Sequence, residues 1–304
     1  MIIAALGDAI FNGGRRIFGD SARIFGNVMQ QDFESTAAVA PEPAAPEPEF
    51  LHVGRGDDMR KIAVRCRSGA TPGLLWLGGL KSDMGGTKAV ALDRWAAAHQ
   101  RDCVRFDYSG HGDSDGKFTD GTISRWLDES IAVFDAYCRG PQVLVGSSMG
   151  AWLALLLTRE LRRREPPLSP AALVLIAPAV DFTEELMWKR FPAAVKRKLE
   201  SEGVWERPSR YSPEPYPITA ALIEDGRRHL LLGGLIETGC PVRILQGVAD
   251  PDVPWRHAVE LVSRLAQDDV VLSLIKDGDH RLSRPEDIER LIGVVSEFCK
   301  DGSG

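Results

Sequence analysis

At 304 residues the chain is long enough to bury a full core, and its length suits one α/β domain of about 250 residues. A net charge of −6 leaves no basic surplus to neutralise phosphates, which argues against nucleic acid as a partner. The longest apolar stretches, around Ala151–Leu157 and Ala171–Val180, fall short of the ~20 residues that span a bilayer.

The first 36 residues read as a leader. Ile3, Ile10, Ile17 and Ile24 recur every seven residues, and Phe11, Phe18 and Phe25 follow three of them. Such a repeat could form an amphipathic helix suited to a membrane surface or a partner helix. Gly7, Gly13, Gly14, Gly19 and Gly26 oppose it, each costing ~1 kcal/mol relative to Ala. The other readings are a poorly ordered leader or an over-extended start, with Met29 as the alternative. No basic residues precede the apolar part and no clean cleavage site follows, so a signal peptide is not expected. Residues 37–49 form an Ala/Pro/Glu linker that should stay extended. The folded domain is expected over 50–304.

Two short strands are expected at 51–55 and 61–67. Leu74–Leu77 is a buried strand ending at Gly78-Gly79, and a helix follows over 87–99. The next strand, Cys103–Phe106, ends at Asp107, and 122–138 has helical spacing. Val143–Val145 is another strand, with a helix from Ala151 to about Arg164. Further strands are expected at Ala172–Ala177, 242–246 and 270–275, and helices at about 255–266 and 285–299. Strands alternating with helices, several apolar throughout, imply a mostly parallel sheet covered on both faces. Residues 181–238 break the rhythm with Trp, Phe, Pro and charge. They are expected to form a helical cap over the sheet's C-terminal edge, where ligands of open α/β sheets bind.

Between strand and helix stands Gly146-Ser147-Ser148-Met149-Gly150, a Gly-x-Ser-x-Gly turn in a strand–turn–helix setting. That pattern presents Ser148 as a nucleophile. Acyl transfer by serine also needs a base, an acid to orient it, and N–H donors for the oxyanion. His280, in a polar turn after the last strand, is the expected base. His111 precedes the serine and His257 lies within a helix, so neither fits the chain order of nucleophile, acid and histidine. Asp250, directly after a strand, is the expected acid, and Asp252 is expected to cap the helix that Pro254 opens. The expected oxyanion donors are the backbone N–H groups of Met149 and Leu80, with Gly79 as the alternative to Leu80. Met84, Met187 and Trp188 are candidate walls of an apolar acyl pocket, although core packing explains each equally well.

The five cysteines, Cys66, Cys103, Cys138, Cys240 and Cys299, are scattered and odd in number. They read as free thiols of a reducing compartment such as the cytoplasm. No metal site or cofactor is expected.

Several of these segments resemble the α/β-hydrolase superfamily. Asp107-Tyr108-Ser109-Gly110-His111-Gly112-Asp113-Ser114 is similar to that superfamily's Asp-x-x-Gly-His-Gly-x-Ser turn, which shapes the pocket floor. Gly78–Met84 with Gly86–Ala89, Phe106–Ser114, Ala177–Ala179 with Asp181–Thr183, and Leu222–Gly226 resemble one branch more closely. That branch includes a mitochondrial palmitoyl-protein thioesterase also described as an acyl-glucuronide esterase. The resemblance covers about residues 50–300. It implies an eight-stranded, mostly parallel sheet with helices on both faces and a small helical cap. It also implies Ser148 as nucleophile, Asp250 as acid and His280 as base. The chain departs from the wider superfamily at Gly78, where a His-Gly pair is common, which should not harm a backbone donor. The expected substrate is a small-molecule ester or acyl thioester, or an acylated protein. An acyltransferase on the same residues, or a non-catalytic binding protein of this fold, are the alternatives.

Overall fold

In the computed structural model, residues 44–209, 213–266 and 269–299 are described. The leader and residues 37–43 of the linker lie outside them. The remaining linker residues run alongside the sheet. Arg65 donates to the Pro46 carbonyl at 2.6 Å and Arg67 to that of Ala44 at 3.0 Å. Glu49, expected in the linker, is already the first residue of a strand.

The apolar runs become the central strands because both their faces are covered. In chain order the strands are β1 (Glu49–Val53), β2 (Arg60–Arg67), β3 (Ala70–Leu77), β4 (Arg101–Phe106), β5 (Gln142–Ser147) and β6 (Ala172–Ile176). A short ribbon, β7 (Val204–Arg207) and β8 (Tyr216–Thr219), stands apart, and β9 (Val242–Gly247) and β10 (Val270–Ile275) complete the set. The main sheet has eight strands in the order β1-β2-β4-β3-β5-β6-β9-β10. β2 pairs antiparallel with β1 and with β4, and every other pairing is parallel.

The helices are α1 (Thr87–Ala98), α2 (Ile123–Tyr137), α3 (Met149–Arg162), α4 (Ala193–Glu202), α5 (Ala220–Gly226), α6 (Trp255–Arg264) and α7 (Pro285–Phe298). α3 is buried on all sides from Met149 to Thr158, as its unbroken apolar sequence requires. One apolar cluster joins α2 and α3 to one face of the sheet through Trp126, Trp152 and Leu153. The other face packs Leu92 of α1 and Leu291 and Val295 of α7 against Trp76 and Val145.

The insertion at 181–238 is helical over α4 and α5 and begins with a π-helical turn, Thr183–Met187. It also contains the antiparallel β7–β8 ribbon, which the helical expectation did not include. Val204-Trp205 and Tyr216-Pro217-Ile218-Thr219 are too short to declare a strand period; they become strands by pairing with each other. Asp181 fastens the insertion at its root. Its buried carboxylate accepts the backbone N–H groups of Leu231 and Leu232 from the returning end of the excursion. No helix among the described residues is long and apolar enough to cross a membrane. All five cysteines are free thiols.

A buried ion pair ties β2 to α2. Arg60 donates to Glu129, whose side chain is fully buried, and the other Glu129 oxygen accepts the Ser109 backbone N–H at 2.9 Å. Removing Glu129 leaves Arg60 with the exposed Asp58 carboxylate at 2.9 Å and strips the Ser109 N–H of its acceptor. Glu129→Ala is therefore expected to lower the unfolding free energy by about 1–3 kcal/mol in a urea titration.

Candidate active site

Three loops that leave the C-terminal ends of parallel strands build the site. The first is the turn from β5 into α3. Ser148 stands there at φ 55° and ψ −115°, a backbone conformation that a serine seldom adopts. The two glycines of the motif make the turn sterically feasible. A Cβ on Gly146 would drive into the Gly150 backbone, and one on Gly150 into the carbonyl of Leu77 on β3. The Ser148 N–H is held by the Ile176 carbonyl at 2.8 Å, and its own carbonyl accepts from Ala151 and Ala179.

The second loop follows β9 and carries Asp250. One carboxylate oxygen accepts the backbone N–H groups of Asp252 at 2.8 Å and Val253 at 2.9 Å. The other lies 2.8 Å from Nδ1 of His280. The third loop follows β10 and brings His280, whose Nε2 lies 3.1 Å from Ser148 Oγ. The loops carrying Asp250 and His280 meet where Gly247 packs against Gly278, with no room for a Cβ. The result is one chain of contacts, Ser148 to His280 to Asp250. The acid is fully buried at its side chain and the imidazole is 17% exposed. An imidazole whose Nδ1–H donates to Asp250 presents an unprotonated Nε2 to Ser148 Oγ.

The loop after β3 lies against the serine. A Cβ on Gly79 would come within 3.4 Å of Ser148 Cβ. The Ser82 N–H bonds the Gly79 carbonyl at 3.1 Å, a turn that leaves the Leu80 N–H outside its own hydrogen bond. Met149 opens α3, so its N–H has no acceptor within the helix. Leu80 and Met149, whose N–H groups the sequence suggests as donors, line the same cavity as Ser148.

A cavity of about 480 Å³ opens over these groups, with Ser148, His280, Leu80 and Met149 in its wall. Phe182, Leu186 and Met187 of the insertion supply an apolar side. Two of the three suggested pocket residues are elsewhere. Met84 is 2% exposed and does not line the cavity, because its backbone is gripped from below. Its N–H donates to Asp107 at 2.6 Å and its carbonyl accepts from Arg105 at 2.7 Å. Trp188 packs within the cap, with Arg227 at 4.9 Å and Lys196 at 5.3 Å from its ring. Asp252, expected as a helix cap, lines the cavity instead, while α6 starts at Trp255 after Pro254 without a side-chain cap. Its carboxylate lies within 4.8 Å of ligand atoms of Asp250 and His280. Hydrogen bonds already engage both Asp250 oxygens and both His280 nitrogens, so that cluster needs no metal to explain it.

Sequence reasoning missed Lys81 and Tyr216. The Lys81 ammonium lies 5.5 Å from the Phe118 ring and 5.6 Å from that of Tyr216, so the cap ribbon meets the loop beside the serine. No local pattern announces a contact between residues 135 positions apart. His257 is structural: its Nε2–H donates to the Val180 carbonyl at 2.8 Å and ties α6 to the root of the insertion.

His111 is buried, and burial holds its pKa down at about 4, with Lys81 nearby acting in the same direction. Between that value and the ordinary 6.5 the unfolded chain takes up a proton that the fold refuses. Stability is therefore full above pH 6.5 and falls as the pH drops toward 4. The His111 share of that loss should reach about 3 kcal/mol. Urea titrations at pH 7.5 and 4.5 should show a smaller difference for His111→Gln than for the unaltered protein.

The alpha/beta hydrolase family model matches residues 70–291. The human protein "Palmitoyl-protein thioesterase ABHD10, mitochondrial" is 34% identical over 257 residues, 84% of this chain and 82% of that protein. A putative hydrolase from Agrobacterium vitis S4 has a similar structure, with a TM-score of 0.81 and 50% identity over 84% of this chain and 99% of that one. The alpha/beta hydrolase domain-containing protein 10 from mouse gives a TM-score of 0.73 at 33% identity, over 83% and 98%. The match spans most of the folded region and agrees with the eight-stranded sheet: this chain belongs to the alpha/beta hydrolase family.

Proposed function

We propose that the protein is a serine hydrolase that cleaves carboxylic esters or acyl thioesters through an acyl-enzyme. The observation that carries this reading is the contact chain from Ser148 Oγ to His280 Nε2 at 3.1 Å and from His280 Nδ1 to Asp250 at 2.8 Å. A strained elbow holds the serine at one end, and the buried carboxylate stands at the other.

In this reading Ser148 Oγ attacks the acyl carbon while His280 Nε2 takes its proton. Asp250 holds the imidazole in the tautomer that leaves Nε2 free and stabilises the imidazolium that forms. The N–H groups of Leu80 and Met149 receive the oxyanion, where each donor contributes about 3 kcal/mol to the transition state. The tetrahedral intermediate collapses and His280 passes its proton to the leaving oxygen or sulfur. Water then attacks the acyl carbon as His280 takes one of its protons; the intermediate collapses, and His280 passes that proton to Ser148 Oγ as the acid leaves. No cofactor has a role in these steps.

Similarity to a palmitoyl-protein thioesterase supports an acyl group as the part recognised. The apolar side formed by Phe182, Leu186 and Met187 is suited to an alkyl chain. Each methylene seated there adds up to ~0.8 kcal/mol, a roughly fourfold gain in kcat/KM per carbon until the wall ends. An acylated small molecule and an acylated protein both remain substrates of this chemistry. The free thiols fit a reducing compartment.

The test is hydrolysis of matched oxygen-ester and thioester series from acetyl to palmitoyl. Ser148→Ala should lower kcat by ~10⁶-fold and Asp250→Asn by ~10⁴-fold. Turnover indifferent to Ser148 would sink the mechanism. Preference for long thioesters supports deacylation of thiols, and turnover confined to short oxygen esters supports a small-molecule esterase. Met187→Trp, which narrows the apolar side, should move the best chain length to fewer carbons with little change on acetyl esters.

A further inference from the structure

Leu80 lies in a loop without regular secondary structure, between Gly79 and a lysine whose φ is +59°. A non-glycine residue stays in that left-handed region only when its surroundings hold it there. The Lys81 N–H, one peptide beyond Leu80, donates to His111 Nε2 at 3.0 Å. That nitrogen accepts only when it carries no proton, so the proton of the neutral ring is on Nδ1, which donates to the Ser109 carbonyl at 3.2 Å.

The ring has little freedom to turn. It is 5% exposed and sits among Tyr108, Phe118 and Trp126, with centroids 5.3–5.9 Å away. Ser109 is itself fixed. Its carbonyl also accepts the Trp126 indole N–H at 3.2 Å, and its N–H donates to Glu129, which Arg60 holds from β2. At the other end of the same loop, Asp107 accepts the Met84 N–H. The segment from Gly79 to Met84 is therefore braced at two points by the loop that follows β4. Only the His111 brace falls next to Leu80.

We propose that His111, as its neutral Nδ1–H tautomer, is a positioning residue that aims the Leu80 N–H at the oxyanion by accepting the Lys81 N–H. It does not touch the reacting atoms, since both its nitrogens are engaged away from Ser148. The inference rests on the serine-hydrolase reading and adds to it the device that keeps one donor in place. Histidine suits the task because one flat ring accepts on one edge, donates on the other and fits between aromatic neighbours.

Two amide variants separate this role from mere packing. The glutamine amide oxygen of His111→Gln reaches the place of Nε2 and can accept from Lys81. That of His111→Asn, one bond shorter, reaches only the place of Nδ1. With a soluble short-chain ester, His111→Asn should lower kcat by up to about 100-fold with KM nearly unchanged. It should weaken a boronic acid, which forms a tetrahedral oxyanion on Ser148, by a similar factor. Binding of a planar, non-hydrolysable amide analogue should stay the same. His111→Gln should recover most of the loss. Hydrogen exchange at the Lys81 amide should speed up in the asparagine variant and not in the glutamine variant.

Equal activity in all three proteins would overturn the proposal. So would equal loss in both variants, or equal weakening of boronate and amide. If the unaltered protein turns over no ester, the hydrolase reading fails on its own account and the Lys81 amide decides the brace. Faster exchange confined to the asparagine variant sustains it, and unchanged exchange refutes it.

Discussion

A serine at positive φ between a strand and a helix is the constraint on which the rest of this molecule depends. Strain of this kind costs about 1–3 kcal/mol and persists only where the surroundings over-determine it. Here β6 holds the Ser148 N–H, and Ala151 and Ala179 hold its carbonyl. Gly146 and Gly150 let α3 settle against β3 with no space for a side chain. That close approach requires the deeply buried α3 and the parallel register of β3, β5 and β6. The sheet's core thus fixes one side chain's place above its edge.

Around that point, buried polar groups do what apolar packing cannot, which is to orient loops. Asp250 shapes its own turn with one oxygen and meets His280 with the other. Asp107, His111 and Arg105 hold the loop beside the serine at its backbone. Asp181 closes the root of the insertion. Each satisfies N–H or carbonyl groups that would otherwise be buried without partners, and such groups are costly to leave unpaired. The loops nearest the serine are thereby specified almost as firmly as the strands.

The insertion follows different rules. It meets the domain through side chains rather than through a continued sheet: Leu222 and Ile223 of α5 join the core cluster of α2 and α3, Asp225 accepts from Ser124 at the start of α2, and Tyr216 lies 5.6 Å from Lys81. Its apolar side faces the cavity through Phe182, Leu186 and Met187, while Trp188 turns toward Arg227 and Lys196. Met187, the last residue of the π-helical turn, and Trp188 just after it thus have opposite fates. Side chains around a helical turn point in successive directions, and which of them reaches the cavity depends on the rotation of the whole turn.

The sequence by itself determined the eight strands and their alternation with helices, because apolar runs, glycine turns and Pro254 act over a few residues. It also named Ser148, Asp250 and His280 through their positions at strand ends, which a parallel sheet gathers along one edge. It could not show that Met84 is withdrawn under the loop, since that depends on Asp107 and Arg105, more than 20 residues away. Nor could it show that Asp252 turns into the cavity, that a ribbon forms within the cap, or that His111 reaches the Lys81 N–H. These were decided by tertiary structure alone. Local propensity fixes which element forms, but the direction of a side chain between elements is set by the hydrogen-bond partners and packing that long-range folding brings to it.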